Sequence, residues 1–267
     1  MCLKSKCTGP VFVISDLHLG DRGARDNFCV FNREQELGHF LDHVERRRGK
    51  LIIAGDLLDF WQANISKVIV TWLPLLKRLN EMEAVYVLGN HDSDLNHFLG
   101  RQLIDVPLIN NARREYSFTM GGRTFQVIHG HEADPYCSSE DPGTGRITAI
   151  LTALSEDRHG GPRLGTSSTV ESRVLGPMER AVSLWGRLCG KPDRYKAMNR
   201  KLRELRHTEV LISGHTHKAG RIDGWYYNTG SWSEFVNSYV EVRLDGSVCL
   251  FDWVGRLNRN NYTELPV

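Results

Sequence analysis

No apolar run in these 267 residues approaches the ~20 consecutive residues that a membrane-spanning helix requires. The opening Met1-Cys2-Leu3-Lys4-Ser5-Lys6-Cys7 lacks the apolar core of a secretory signal. A cytoplasmic location is therefore expected. Cys2, Cys7, Cys29, Cys137, Cys189 and Cys249 show no repeating spacing, so neither a disulfide framework nor zinc-finger pairing is legible. They read as free thiols in a reducing compartment. Excess charge is missing as well: the formal net charge is +2, which indicates no nucleic-acid partner. No internal repeat or low-complexity segment stands out. With 40% hydrophobic and 25% charged residues, the chain has the composition of an ordinary globular protein. It is long enough for one large domain, or one domain with an elaboration.

What is present is a series of polar blocks. Asp16-Leu17-His18, Gly55-Asp56-Leu57-Leu58-Asp59, Gly89-Asn90-His91-Asp92, His129-Gly130-His131 and Gly214-His215-Thr216-His217 follow one another along the chain. Apolar, mostly β-branched runs precede them: Val11-Phe12-Val13-Ile14, Leu51-Ile52-Ile53, Val85-Tyr86-Val87-Leu88, Val127-Ile128 and Val210-Leu211-Ile212. Open α/β sheets place their chemistry at the carboxyl ends of such strands. A single block could be a turn, because Asp, Asn and Gly are turn formers. Five in succession require another explanation.

Asp16, His18, Asp56, Asn90, His129, His215 and His217 offer two carboxylates, one amide oxygen and four imidazoles. A structural zinc site uses only four ligands. The inventory suits two divalent cations sharing one carboxylate, and two-metal hydrolytic sites hold their ions ~3.5–4 Å apart. Asp56, in the middle of the series, is the expected bridge. Asp16 and His18 are two apart, as are His215 and His217; extended segments would point each pair to one side. Two ions bring more positive charge than Asp16 and Asp56 neutralise, which favours an anionic phosphate substrate.

These blocks, in this order, resemble the calcineurin-like metallophosphoesterase superfamily, whose pattern is D-x-H, G-D-x-x-D, G-N-H-[DE], a histidine before glycine, and G-H-x-H. Each block matches without substitution. The resemblance implies an α/β fold with two sheets packed face to face and helices outside, a four-layer α-β-β-α sandwich. It implies that Asp16, His18, Asp56 and His217 hold the first metal, and that Asp56, Asn90, His129 and His215 hold the second. Mn is the expected metal, with Fe or Zn compatible with the same mixed N/O donors. His91 would be catalytic, as a general acid or an electrostatic clamp, with Asp92 orienting it. Asp59 is either a support for a ligand or the N-cap of the following helix. His131 belongs to the outer shell, and His39, His43, His97, His159 and His207 receive no role.

Helical periodicity appears at Leu37, Phe40, Leu41 and Val44, and again at Ile65, Ile69, Trp72, Leu73 and Leu76. Alternation with the strands predicts crossovers and a largely parallel sheet. Gly121-Gly122 and Asp245-Gly246 read as hairpin turns. Residues 137–208 differ from the rest: Ser138–Gly145 is rich in Ser, Gly, Pro and acids, and Gly160-Gly161-Pro162 interrupts again. Stripes at Ile147, Ile150, Leu151 and Leu154, and at Ala181, Leu184, Trp185 and Leu188, suggest an inserted helical cap. The expected organisation is a phosphoesterase domain in two parts, 1–136 and 209–267, with the cap at 137–208. From Arg187 to His207 eight Lys or Arg oppose Asp193 and Glu204, while Tyr195, Met198, Leu202 and Leu205 form an apolar face. This helix is either a packed amphipathic element with a solvated side, or a surface for an anionic headgroup, diphosphate or membrane. Arg194, Arg200, Lys201 and Arg203 are its candidate substrate contacts.

Ser15-Asp16-Leu17-His18-Leu19-Gly20, Asp59-Phe60-Trp61 and the insertion before Gly214 look most like the UDP-2,3-diacylglucosamine hydrolase branch. That resemblance implies pyrophosphatase action on a nucleotide-diphosphate lipid, with peripheral contact at the inner membrane face. The alternatives are hydrolysis of nucleotides, phosphoproteins or small phosphate esters, and a non-catalytic scaffold.

Overall fold

The computed structural model describes residues 8–23, 26–30, 32–61, 63–97, 106–134, 194–234, 236–254 and 257–260. The chain divides into two compact units, Met1–His131 with Arg206–Leu265, and Glu132–Leu205 with Pro266–Val267. In the first unit the apolar runs become strands β1 (Val11–Ile14), β2 (Lys50–Ala54) and β3 (Val85–Val87). The intervening segments carry the helices α1 (Asn27–Val30), α2 (Arg33–Arg46) and α3 (Ile65–Glu81). There follow α4 (Pro107–Asn110), β4 (Glu115–Met120) and β5 (Arg123–Ile128). After α5 (Arg194–Leu205), the described helix of the second unit, come β6 (Val210–Ser213), β7 (Gly220–Ile222) and β8 (Tyr226–Asn228). The last strands are β9 (Asn237–Val242), β10 (Val248–Val254) and β11 (Leu257–Asn260).

Two mixed sheets result, one ordered β11-β10-β9-β1-β2-β3 and the other β4-β5-β6-β8-β7. Because side chains alternate along a strand, β1 serves two cores at once. Val11 and Val13 join Ile52, Val87, Phe125, Val127, Val210 and Ile212 between the two sheets. Phe12 and Ile14 face the other way, into a core with Leu37, Phe40, Leu41 and Val44 of α2 and Trp72 and Leu76 of α3. Burial on both faces explains why these strands read as continuous apolar runs. Truncating one such side chain, as in Leu41→Ala, would cost about 2–5 kcal/mol. Asn64 caps α3, its side chain accepting from the Ser66 and Lys67 amides.

The α2 stripe buries as its periodicity predicts, and Gly121-Gly122 forms the two-residue β4–β5 turn with φ of +57° and +80°. The Asp245-Gly246 turn joins antiparallel β9 and β10. The parallel expectation holds for β1–β2 and β2–β3, whereas β9 runs antiparallel to β1 and β10 to β9. For β9 and β10 the reason lies in the connection: the segment joining them is too short for a crossover helix, and short links can join only antiparallel neighbours.

Most of the expected cap, including both of its upstream stripes, lies outside the described residues. In α5, Met198 and Leu202 are buried while Arg200, Lys201 and Arg203 are exposed, and Lys201 pairs with Glu204 at 3.3 Å. The Arg194 side chain lies outside the described set. Among the described residues no helix is long and apolar enough to cross a membrane.

Candidate metal centre

Four of the five blocks leave the carboxyl ends of β1, β2, β5 and β6, and the third follows β3. All lie in the first unit. The backbone there is not extended: Asp16, His18, Asp56, His215 and His217 have φ of 54°, 48°, 50°, 72° and 56°. Such left-handed conformations are uncommon for non-glycine residues and concentrate at functional sites. This corrects the expectation that the two-residue spacing acts through extended segments. Asp16 and His18 converge through a turn, while His215 and His217 diverge to serve different parts of the site. Gly89 and Gly214 make the close approach possible. A Cβ on Gly89 would collide with the Asp56 carboxylate, and one on Gly214 with Ser15 and Asp16.

The carboxylate of Asp16 is oriented by its outer oxygen. Oδ2 accepts from the His215 amide at 3.0 Å and from the Ser15 hydroxyl. Oδ1 is buried, accepts no hydrogen bond among the described residues, and lies 3.2 Å from His217 Nε2 and 3.8 Å from His18 Nε2. His18 Nε2 and His217 Nε2 are 3.1 Å apart. Asp56 is held in the same way. Its Oδ1 accepts from the His91 amide at 2.9 Å, which leaves Oδ2 3.8 Å from His18 Nε2 and 3.1 Å from His129 Nε2. Asn90 Oδ1 completes this side at 3.0 Å from His129 Nε2. The His215 ring lies 5.2 Å from that of His129 and 6.4 Å from that of His131.

Two imidazoles have their tautomer fixed by acceptors. His129 Nδ1–H donates to the Ala54 carbonyl at 2.8 Å, and His217 Nδ1–H donates to Glu234 Oε1 at 2.6 Å. Each turns its Nε2 inward, and on losing its proton that nitrogen is placed as in a metal-ligating histidine. The donor set of three carboxylate or amide oxygens and four imidazoles, with an orphaned oxygen on Asp16, fits divalent cations. Asp56 Oδ2 lies between the two groups and can be shared by both.

The metal-free electrostatics are those of a site made to hold positive charge. Burial opposes ionisation of Asp16, but His217 and His18 outweigh it and hold the carboxyl well below its usual range. Asp56 is likewise depressed, against burial, by His129 and His91. Burial disfavours a proton on His129, yet Asp56 and Asp16 push its pKa up to about 10. His217 is raised in the same sense by Asp16 and Glu234.

His91 sits beside these groups, its ring 4.6 Å from that of His18. Its orienting carboxylate is Asp59, whose Oδ1 lies 3.1 Å from His91 Nδ1. That corrects the expected pairing of His91 with Asp92. Asp92 is fully buried and turned away from the imidazole. It accepts from the Leu57 amide at 2.9 Å, the Gly89 amide at 2.6 Å and the Tyr86 hydroxyl. Burial and the nearby Asp56 push its pKa up to about 7, with the Tyr86 hydrogen bond opposing. Asp92 therefore holds the second and third blocks together. Asp59 is not the helix cap, since Asn64 fills that position. Glu234 escaped the sequence reading entirely, because no motif marks a carboxylate 17 residues beyond its histidine.

The family profile described as Calcineurin-like phosphoesterase matches residues 9–219. No curated protein matches the chain significantly. Among solved structures, a single mutant of Vps29 from Entamoeba histolytica is similar with 15% identity and a TM-score of 0.41, covering 96% of this chain and 99% of that one. Vps29 from Chaetomium thermophilum has 12% identity and a TM-score of 0.42, covering 92% and 88%. A hypothetical protein from Pyrococcus horikoshii OT3 has 10% identity and a TM-score of 0.46, covering 91% and 87%.

Proposed function

The chain belongs to the calcineurin-like phosphoesterase family and is a metal-dependent hydrolase of phosphate esters; we propose that it uses two ions and acts on a nucleotide-diphosphate lipid. The observation carrying the two-ion reading is Asp56 Oδ2, which faces His18 on one side and His129 on the other. Asp16, His18, Asp56 and His217 would hold the first ion, and Asp56, Asn90, His129 and His215 the second. Mn is the proposed metal, and Fe or Zn would suit the same donors. When bound, the ions polarise the phosphate and activate water at neutral pH.

The remaining work falls to the chain. His91 has Nδ1 committed to Asp59, so Nε2 is the nitrogen that can pass a proton to the departing oxygen. In the metal-free chain burial opposes its protonation, while Asp56 and Asp59 raise its pKa above that of an ordinary imidazole. Asp92 keeps the loops bearing Asp56 and Asn90 in register.

The lipid-diphosphate substrate is supported by the Ser15–Gly20 and Asp59–Trp61 sequences and by the exposed basic side of α5. An anionic headgroup at that helix would place the protein peripherally at the cytoplasmic face of a membrane. The test is hydrolysis by Mn-reconstituted protein of UDP-diacylglucosamine, simple diesters, monoesters and a phosphopeptide. Preference for the first, lost on replacing Arg194, Arg200, Lys201 and Arg203 by Gln and weakened by salt, supports the reading. Preference for another member of the panel replaces the substrate. No hydrolysis of any member by metal-loaded protein would leave a scaffold.

A further inference from the structure

The turn after β2 grips His91 at three points. The Asp59 carboxylate meets the ring edge at Nδ1, and the Phe60 amide donates to the His91 carbonyl at 3.2 Å. The third contact comes from Trp61, whose indole lies parallel to the imidazole with centroids 3.9 Å apart and an interplanar angle of 21°. Asp59 and Trp61 form one unit, because the Trp61 amide donates to Asp59 Oδ1 at 3.0 Å. That oxygen is the one that meets His91, so the carboxylate and the indole are set by the same turn.

These contacts do different jobs. A hydrogen bond at Nδ1 fixes one point of the ring but leaves it free to swing about that bond, since the torsion joining an imidazole to its Cβ is broad. A face-to-face stack removes the swing. Proton transfer in a displacement reaction is sensitive to this freedom, because a misplacement of ~1 Å can cost ~10²-fold. We infer that Trp61 is a positioning residue for His91: the indole fixes the plane of the imidazole so that Nε2 points at the leaving oxygen. This rests on the reading of His91 as the proton donor.

The test uses the Mn-loaded full chain with two diesters, one with an alkoxide and one with a p-nitrophenolate leaving group. A good leaving group departs without a proton, so it registers loss of metal or fold but not loss of the acid. Trp61→Ala should lower kcat about tenfold or more on the alkyl ester and about twofold or less on the nitrophenyl ester. KM and metal content should stay at their original values, and Trp61→Phe should recover most of the rate. Trp61→Leu keeps apolar bulk without a planar face and should behave as Ala does, which covers the case in which Ala fails to fold. In a His91→Ala background, Trp61→Leu should cost nothing further, since both act through one group. In metal-free protein, the His91 imidazole N–H resonance should broaden in Trp61→Leu and return in Trp61→Phe. Equal losses on both esters, or additive losses in the double variant, would overturn the role of Trp61. If His91→Ala left alkyl-ester turnover intact, the proton-donor reading would itself fall, an outcome recognisable from the single variant alone.

Discussion

Replacing Glu234 with Gln tests the two-ion arrangement at its most exposed support. Glu234 accepts from His217 Nδ1 at 2.6 Å, while His217 Nε2 faces Asp16. Gln keeps an oxygen in that position but removes the negative charge that strengthens the imidazole as a donor. Losing an outer partner of this kind typically costs ~10–100-fold in metal affinity. The Glu234 side chain is 48% exposed, so water screens its charge and the lower end applies, about tenfold or ~1.4 kcal/mol. A proton works against the full effect. In metal-free protein His217 has a raised pKa, so an incoming ion must displace a proton, and removing the Glu234 charge loosens that proton too. The loss should therefore be smaller near neutral pH and complete in alkaline buffer. Chelator competition resolving two binding events should show one weakened and the other, built on Asn90 and His129, unchanged. Two equally weakened events would mean that Glu234 supports the fold rather than one ion. No change at any pH would refute its coupling to the metal.

Asp56→Asn should reduce bound metal at both positions, whereas His18→Ala should chiefly empty one; elemental analysis finding one ion or none in fully active protein would reject the shared carboxylate. Asp92→Ala leaves the Leu57 and Gly89 amides and the Tyr86 hydroxyl without their acceptor, at about 1–3 kcal/mol each, so denaturant unfolding should show a loss of at least ~3 kcal/mol. The His129 pKa is raised from 6.5 to about 10 in the folded metal-free chain, so its contribution to stability is complete below pH 6.5 and fades as pH rises through about 10. Metal uptake carries the opposite sign: affinity measured by titration should grow across that interval as the competing proton leaves.

The strands of the sandwich were legible because burial on both faces writes an unbroken apolar run, as at Val11–Ile14. Helix α2 was legible because Leu37, Phe40, Leu41 and Val44 face a single core. The seven candidate ligands were visible as residue types at strand ends. How they converge was not, since spacing carries no information about φ, and the left-handed turns at Asp16 and His215 replace the extended geometry that spacing suggested. The orienting role expected of Asp92 falls to Asp59 for a related reason: adjacency to His91 favoured Asp92, but its buried carboxylate is taken up by the Leu57 and Gly89 amides and the Tyr86 hydroxyl. Glu234 and Trp61 lay beyond reach because their contacts bring together parts of the chain that no local pattern connects.

Asp16 leaves a strand of the larger sheet and its carboxylate accepts from the amide of His215, which follows a strand of the smaller one. Ala54 and His129 tie the same two sheets together. The site is thus a clasp across the sandwich, drawing on residues 199 positions apart in sequence. Until β6 has been added, neither His215 nor His217 can take part, so an emerging chain cannot form the complete centre. Ions held there would bind only the finished sandwich, and each would resist the parting of its layers in the way a covalent crosslink does. Metal retention would then mark completed folding and slow unfolding, before any substrate has been met.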